Sequence, residues 1–109
     1  MTRLTSEIWI AAYLTRLRLA AIPAFIVQKG DATAGAVLVK LNPLDGSATC
    51  YQRSFDLVSG ERKWVVLAEG PEAEVDQKVA RQREFDPDIW VIEVEDRTGR
   101  HMLDEPGLT

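Results

Sequence analysis

Carboxylates are the side chains best supplied for chemistry in this 109-residue chain, and they crowd into EFDPDIWVIEVEDRTGR, residues 84–100. There Glu84, Asp86, Asp88, Glu93, Glu95 and Asp96 surround one short apolar run. Clustered carboxylates can hold a hard cation such as Mg²⁺ or Ca²⁺ through their oxygens. They can also act as a general acid/base pair when burial raises one of them. Extended backbone over Ile89–Glu95 places Trp90, Ile92, Val94 and Asp96 on one face and Ile89, Val91, Glu93 and Glu95 on the other. Glu93 and Glu95 then stand side by side, roughly 7 Å apart. A ligand or ion site built on this pair would recruit Asp86 and Asp88 from the preceding turn. The spacing does not follow the D-x-[DN]-x-[DN]-G pattern of a calcium loop. The simpler expectation is solvated strand ends, neutralised by Arg81, Arg83, Arg97 and Arg100, with Arg53 or Lys63 added from neighbouring strands. Such surface pairs contribute about 0–1 kcal/mol each.

Other chemistries lack their parts. GDATAGAV, residues 30–37, spaces two glycines as a phosphate-binding loop does, but Ala36 and Val37 stand where that loop needs Lys and Ser/Thr. The segment also leads into a strand, so it reads as a turn whose glycines meet backbone needs. One cysteine, Cys50, and one histidine, His101, cannot build a structural zinc site, nor a convincing nucleophilic pair. Ser6, Ser47, Ser54 and Ser59 have no Gly-x-Ser-x-Gly context. No motif calls for a cofactor. Trp9, Trp64 and Trp90 are large anchors for a core. Trp9 lies beside the main apolar stripe of its segment and is the binding hot-spot candidate if it is exposed.

These residues need a frame. Thr5 or Ser6 caps a first helix whose Ile10, Tyr13, Leu14, Leu17 and Ala21 share a face, and Pro23 stops it. That face covers a sheet, or serves self-association. Four strand segments follow, at 24–29, 35–41, 47–55 and 62–69, with hairpin-length connections that predict an antiparallel meander. The run GAVLVKL is nearly continuous in apolar residues, as in a strand buried on both faces. Gly70-Pro71 opens a second helix over 72–85, Asp86-Pro87 ends it, and 89–95 forms a last strand. The expected class is α+β: a mainly antiparallel sheet of about five strands in the order α-β-β-β-β-α-β, with the N-terminal helix on one face. The last strand could pair beside any exposed edge of the meander.

Length and composition fit one domain over residues 1–109, with 101–109 as a loose tail. Hydrophobic residues make up 46% and charged residues 28%, an ordinary globular balance. Residues 1–63 carry 8 basic and 5 acidic side chains, and residues 64–109 carry 5 and 12, which gives the net charge of −4. A nucleic-acid partner calls for a basic stripe, and TRLRL supplies only two close charges. Arg16 and Arg18 interrupt the apolar run IWIAAYLTRLRLAAIPAFIV, so neither a membrane span nor a signal peptide is expected. The single cysteine suits a reducing cytoplasm.

EIWI, KGDATAGAVLVKL, RKWVVL and ARQREFDPDIWVIEVEDRTGRH together resemble the alphaproteobacterial domain-of-unknown-function family numbered 1491. The resemblance covers nearly the whole chain and implies a bacterial, single-domain protein of about this length. It implies no activity, cofactor or site residue. From the residues, the expected function is a small non-catalytic interaction or adaptor module, pairing with itself or with another protein. The alternative is a small-molecule or divalent-cation-binding protein using the acidic last strand, and an enzyme ranks below both.

Overall fold

Thr5 starts the first helix because its own backbone is extended and its Oγ1 accepts the Ile8 N–H at 3.3 Å, filling one of the donors a helix start leaves open. The computed structural model describes residues 4–55 and 57–104. In it helix α1 spans Ser6–Leu19, with Glu7 in its first turn and Arg16 and Arg18 in its last, as the helix dipole favours. Trp9, Ile10, Tyr13 and Leu17 form its buried stripe. Ala21 turns out of the helix with φ of +58°, and the Ile22 N–H returns to the Leu17 carbonyl at 2.9 Å, a left-handed helix end. Pro23 keeps the chain from resuming the helix.

Five strands follow: β1 Ala24–Gln28, β2 Val37–Asn42, β3 Ser47–Phe55, β4 Arg62–Pro71 and β5 Trp90–Glu95, with helix α2 at Glu72–Phe85. They form one sheet in the order β1-β5-β2-β3-β4. β2, β3 and β4 are the expected antiparallel meander, but β1 does not pair with β2. The last strand enters between them, antiparallel to β1 and parallel to β2, so the sheet is mixed. Burial explains the order. β2 and β5 are the two strands buried along nearly their whole length on both faces, and such strands belong inside a sheet covered on both sides. On one face, α1 packs Trp9, Ile10, Tyr13 and Leu17 onto Val39, Leu41, Trp90, Ile92 and Val94. On the other, Val75 and Val79 of α2 pack onto Leu38, Cys50, Ala68 and Val91.

The 29–36 connection is therefore a clamp across the start of β5. Trp90 donates its backbone N–H to the Ala36 carbonyl (2.8 Å) and its Nε1–H to the Asp31 carbonyl (2.7 Å), while the Asp31 N–H reaches the Asp88 carbonyl (2.9 Å). A Cβ at Gly30 or Gly35 would lie 2.2 or 2.4 Å from that Asp88 oxygen, so only glycine fits. The same loop accepts the first N–H groups of α1, Ser6 to the Thr33 carbonyl (3.1 Å) and Glu7 to the Ala32 carbonyl (2.9 Å).

Of the segment expected as a loose tail, Leu103 is buried in the α1-side core, and the His101 carbonyl accepts the Tyr13 hydroxyl at 2.7 Å. Burial, with Tyr51 nearby, pushes that phenol well above its ordinary value, so it remains a donor. Residues 105–109 of that segment lie outside the described residues.

Candidate functional site

Arg53 sits on the β3 face that carries Thr49 and Tyr51, and it faces α1 rather than water. Its guanidinium lies 5.0 Å from the ring centroid of Trp9 and 5.0 Å from that of Trp64. The two indoles lie 5.4 Å apart, and Trp9 stacks in turn on Tyr13 at 4.9 Å. Strand pairing makes this arrangement: Arg53 and Trp64 are register partners across β3 and β4, and Trp9 reaches down from the first turn of α1. A cation over each indole face is worth about 0.5–2 kcal/mol as water is excluded. Burial and the neighbouring Arg62 both push the Arg53 guanidinium down from its ordinary value, yet a guanidinium stays charged in proteins. Among the described residues, neither Arg53 nor Arg62 forms an ion pair.

These groups line a cavity of about 600 Å³ at the end of the sheet where β2 and β4 begin and β3 ends. That volume lies within the usual range for small-molecule sites. Trp9, Arg53, Arg62 and Trp64 form its α1 side; Gln82 and Asp86, from the end of α2, form its other side. The 33–36 stretch of the clamp lies between. Ser6 on its wall is no nucleophile, since its hydroxyl donates to the Gly35 carbonyl at 2.6 Å.

Glu93 of the last strand meets a different partner from those expected, while Asp96 pairs with Arg100 at 3.1 Å as expected. Lys40 interrupts the apolar run of β2 on the α2 face, and its Nζ lies 2.7 Å from Glu72 Oε2, 2.7 Å from Asp76 Oδ1 and 3.3 Å from Glu93 Oε1. Asn42 Nδ2 bridges the cluster, donating to Glu72 Oε2 at 3.2 Å and to Glu93 Oε2 at 3.3 Å. Burial by itself lowers a lysine. Here hydrogen bonds to Asp76 and Glu72 and the charge of Glu93 outweigh it and raise Lys40 above its ordinary value. Three acceptors saturate the three ammonium protons.

The sequence-singled residues thus part company. Glu93 belongs to the Lys40 cluster and is not a solvated strand end. Glu95, two residues on, is half-buried beside Asn42 in the parallel register. Asp86 ends α2, its Oδ1 accepts the Asp88 N–H at 3.1 Å, and it lines the cavity. Asp88 is exposed and contributes its carbonyl to the clamp. Among the described residues, no group of three or more His, Cys, Asp or Glu is placed to hold a metal ion. Trp9 is 3% exposed, so it acts as a buried platform for Arg53 rather than as a surface anchor. Arg53, expected as a partner of the acids, stands on the opposite face of the sheet. Lys40 was missed as their partner, although a lone lysine inside VLVKL signals a buried counter-charge.

Cys50 and His101 also lie on opposite sides of the sheet. Burial pushes the Cys50 thiol up to about 12. His101 packs on Tyr51 at 4.7 Å and accepts the Leu103 N–H on Nδ1 at 3.0 Å. No helix among the described residues is long and apolar enough to cross a membrane.

With this geometry in place, comparison with known proteins is informative about kinship. A crystal structure of a DUF1491 family protein from Caulobacter crescentus CB15 is 42% identical, with a TM-score of 0.86 over 95% of this chain and 98% of that one. An NMR structure of a DUF1491 family protein from the same organism is 41% identical, with a TM-score of 0.83 over 97% of each chain. The solution structure of protein Atu0922 from A. tumefaciens is 28% identical, with a TM-score of 0.75 over 96% of this chain and 98% of that one. No curated protein matches. The family profile described as "Protein of unknown function (DUF1491)" matches residues 4–104, and the chain belongs to that family.

Proposed function

We propose that the protein is a non-catalytic binding module of the cytoplasm, and that its cavity takes a small molecule through an anionic group. One observation carries this reading: the Arg53 guanidinium lies against two indoles on the wall of a cavity of about 600 Å³, beside Arg62, with no carboxylate paired to either among the described residues. The two adjacent rings pack against the guanidinium and leave its N–H edge able to bond. That edge matches a carboxylate or phosphate in a two-point contact. The tryptophans fix the fork before the ligand arrives, which reduces the ordering cost of binding.

The test is a thermal-shift and tryptophan-fluorescence titration of the full chain with carboxylates and phosphates at low ionic strength. A ligand at about 100 times its Kd stabilises by about 2.7 kcal/mol, which is a shift of roughly 11–22 °C. The shift should shrink with added salt and disappear in Arg62→Gln, with Trp fluorescence changing in parallel. A flat response across the panel, or one that survives Arg62→Gln and Arg53→Lys, would refute the reading.

A second reading, self-association, rests on β1. This edge strand is uncharged, and Phe25, Ile26 and Val27 are all exposed. The opposite edge, β4, bears the exposed charges Lys63 and Glu69, which discourage strand addition. An uncharged edge pairs with a second copy of itself without repulsion. Sedimentation equilibrium should show concentration-dependent dimers that Ile26→Lys abolishes; a monomer at all concentrations removes this reading.

A further inference from the structure

The same cavity carries unpaired charge of both signs. Arg53 and Arg62 line one side and Asp86 the other, and among the described residues no ion pair joins them. Asp86 is half-buried, and of its two carboxylate oxygens Oδ1 accepts the Asp88 N–H. The helices reinforce the division. The cavity meets α1 at its N-terminus, the positive end of the helix dipole, and α2 at its C-terminus, the negative end. The first N–H groups of α1 are already taken by the Thr33 and Ala32 carbonyls, so α1 contributes field rather than hydrogen bonds. The only basic residue in the last turn of α2, Arg83, is turned to Gln28 Oε1. Among the described residues, no basic side chain is paired with Asp86.

We infer that the ligand is a small zwitterion, an aminocarboxylate whose acid end meets Arg53 and Arg62 and whose ammonium end meets Asp86. This rests on the anion-binding reading above and adds to it the second end. Opposite charges lining one cavity without touching are complementary to a molecule that carries the reverse charges at its two ends. A plain carboxylate satisfies only the arginines and brings its negative charge toward Asp86. Gln82, beside Asp86 in the last turn of α2, offers an amide oxygen as a further acceptor for an ammonium.

The experiment is calorimetric titration of the full chain with matched probes: 4-aminobutanoate, 6-aminohexanoate and 8-aminooctanoate against butanoate, hexanoate and octanoate. At least one amino acid should bind about tenfold more tightly than its matched acid, the gain of one charge-assisted hydrogen bond. Asp86→Asn keeps a side-chain oxygen to accept the Asp88 N–H and so preserves the turn. It should erase the advantage without weakening the plain acids. Equal binding of every matched pair, or an advantage that survives Asp86→Asn, overturns the zwitterion inference while leaving the anion site standing. Absence of binding by any acid, with or without the amine, overturns both.

Discussion

Replacing Lys40 with methionine removes a buried cation from the α2 face. The lysine side chain is 6% exposed, and the carboxylates it serves are 15% (Glu93), 36% (Glu72) and 54% (Asp76) exposed. Methionine keeps the packing volume but leaves three carboxylates facing one another. Glu72 and Asp76 stand on the first turns of a surface helix and can swing into water. Glu93 is fixed on a central strand and cannot. Losing one partner of a buried pair costs about 3–5 kcal/mol, and because two of the three acids can escape, the lower end applies: about 3 kcal/mol. For a chain of this size that is a fall in Tm of roughly 12–24 °C. Urea unfolding at pH 7 reads it directly. Adding Glu93→Gln to Lys40→Met should return about 1–2 kcal/mol, a coupling a double-mutant cycle resolves. The loss should also narrow in acid, as the carboxylates protonate. In the wild type, the raised lysine contributes fully below its unfolded value of about 10.4, and that contribution fades only as pH climbs beyond it. A cost under about 1 kcal/mol, or strict additivity with Glu93→Gln, would refute the view that Lys40 organises these acids.

Two further tests probe the frame. Gly30→Ala forces a Cβ to within 2.2 Å of the Asp88 carbonyl oxygen and should cost about 3 kcal/mol by overpacking against backbone, measured by chemical denaturation; a neutral result would mean the clamp yields easily. Asp96 is held well below the usual carboxylate range by the Arg100 side chain, the Arg100 backbone N–H and the Thr98 hydroxyl. Its contribution is present above the unfolded value of about 3.9 and is lost as pH falls through the depressed folded one. Asp96→Asn should therefore destabilise by about 1 kcal/mol at pH 7 and converge with the wild type in strong acid; a gap that persists there would contradict the assignment.

The elements were legible because their punctuation is local. Thr5, Pro23, Pro71 and Asp86-Pro87 each act on neighbouring backbone, and the α2 and β3 boundaries match the sequence reading residue for residue. Strand order was not legible. VLVKL announced two-sided burial, but nothing within it says which partner stands at its side. The 29–36 loop is short enough for a hairpin, and only its bonds to Asp88 and Trp90, made across the chain, reveal another task. The site divides in the same way. Alternation placed Glu93 and Glu95 on one face correctly, yet the partner of Glu93 arrives from a strand more than 50 residues earlier. Arg53 shared a face with Tyr51 as expected, while its two indoles come from α1 and β4.

The place of β5 has a consequence for how the chain is made. Of the five strands, β5 is the last in chain order, so β1 and β2 emerge from the ribosome with no neighbour between them. The β2-β3-β4 meander can form from local contacts, but the α1-side core, which needs Trp90, Ile92 and Val94, must wait for β5. Pairing across such long sequence separations slows folding. It also leaves apolar strand edges open for association while synthesis proceeds. A chain cut before Trp90 has no strand to join β1 to β2, so the α1-side core is completed only when β5 enters the sheet.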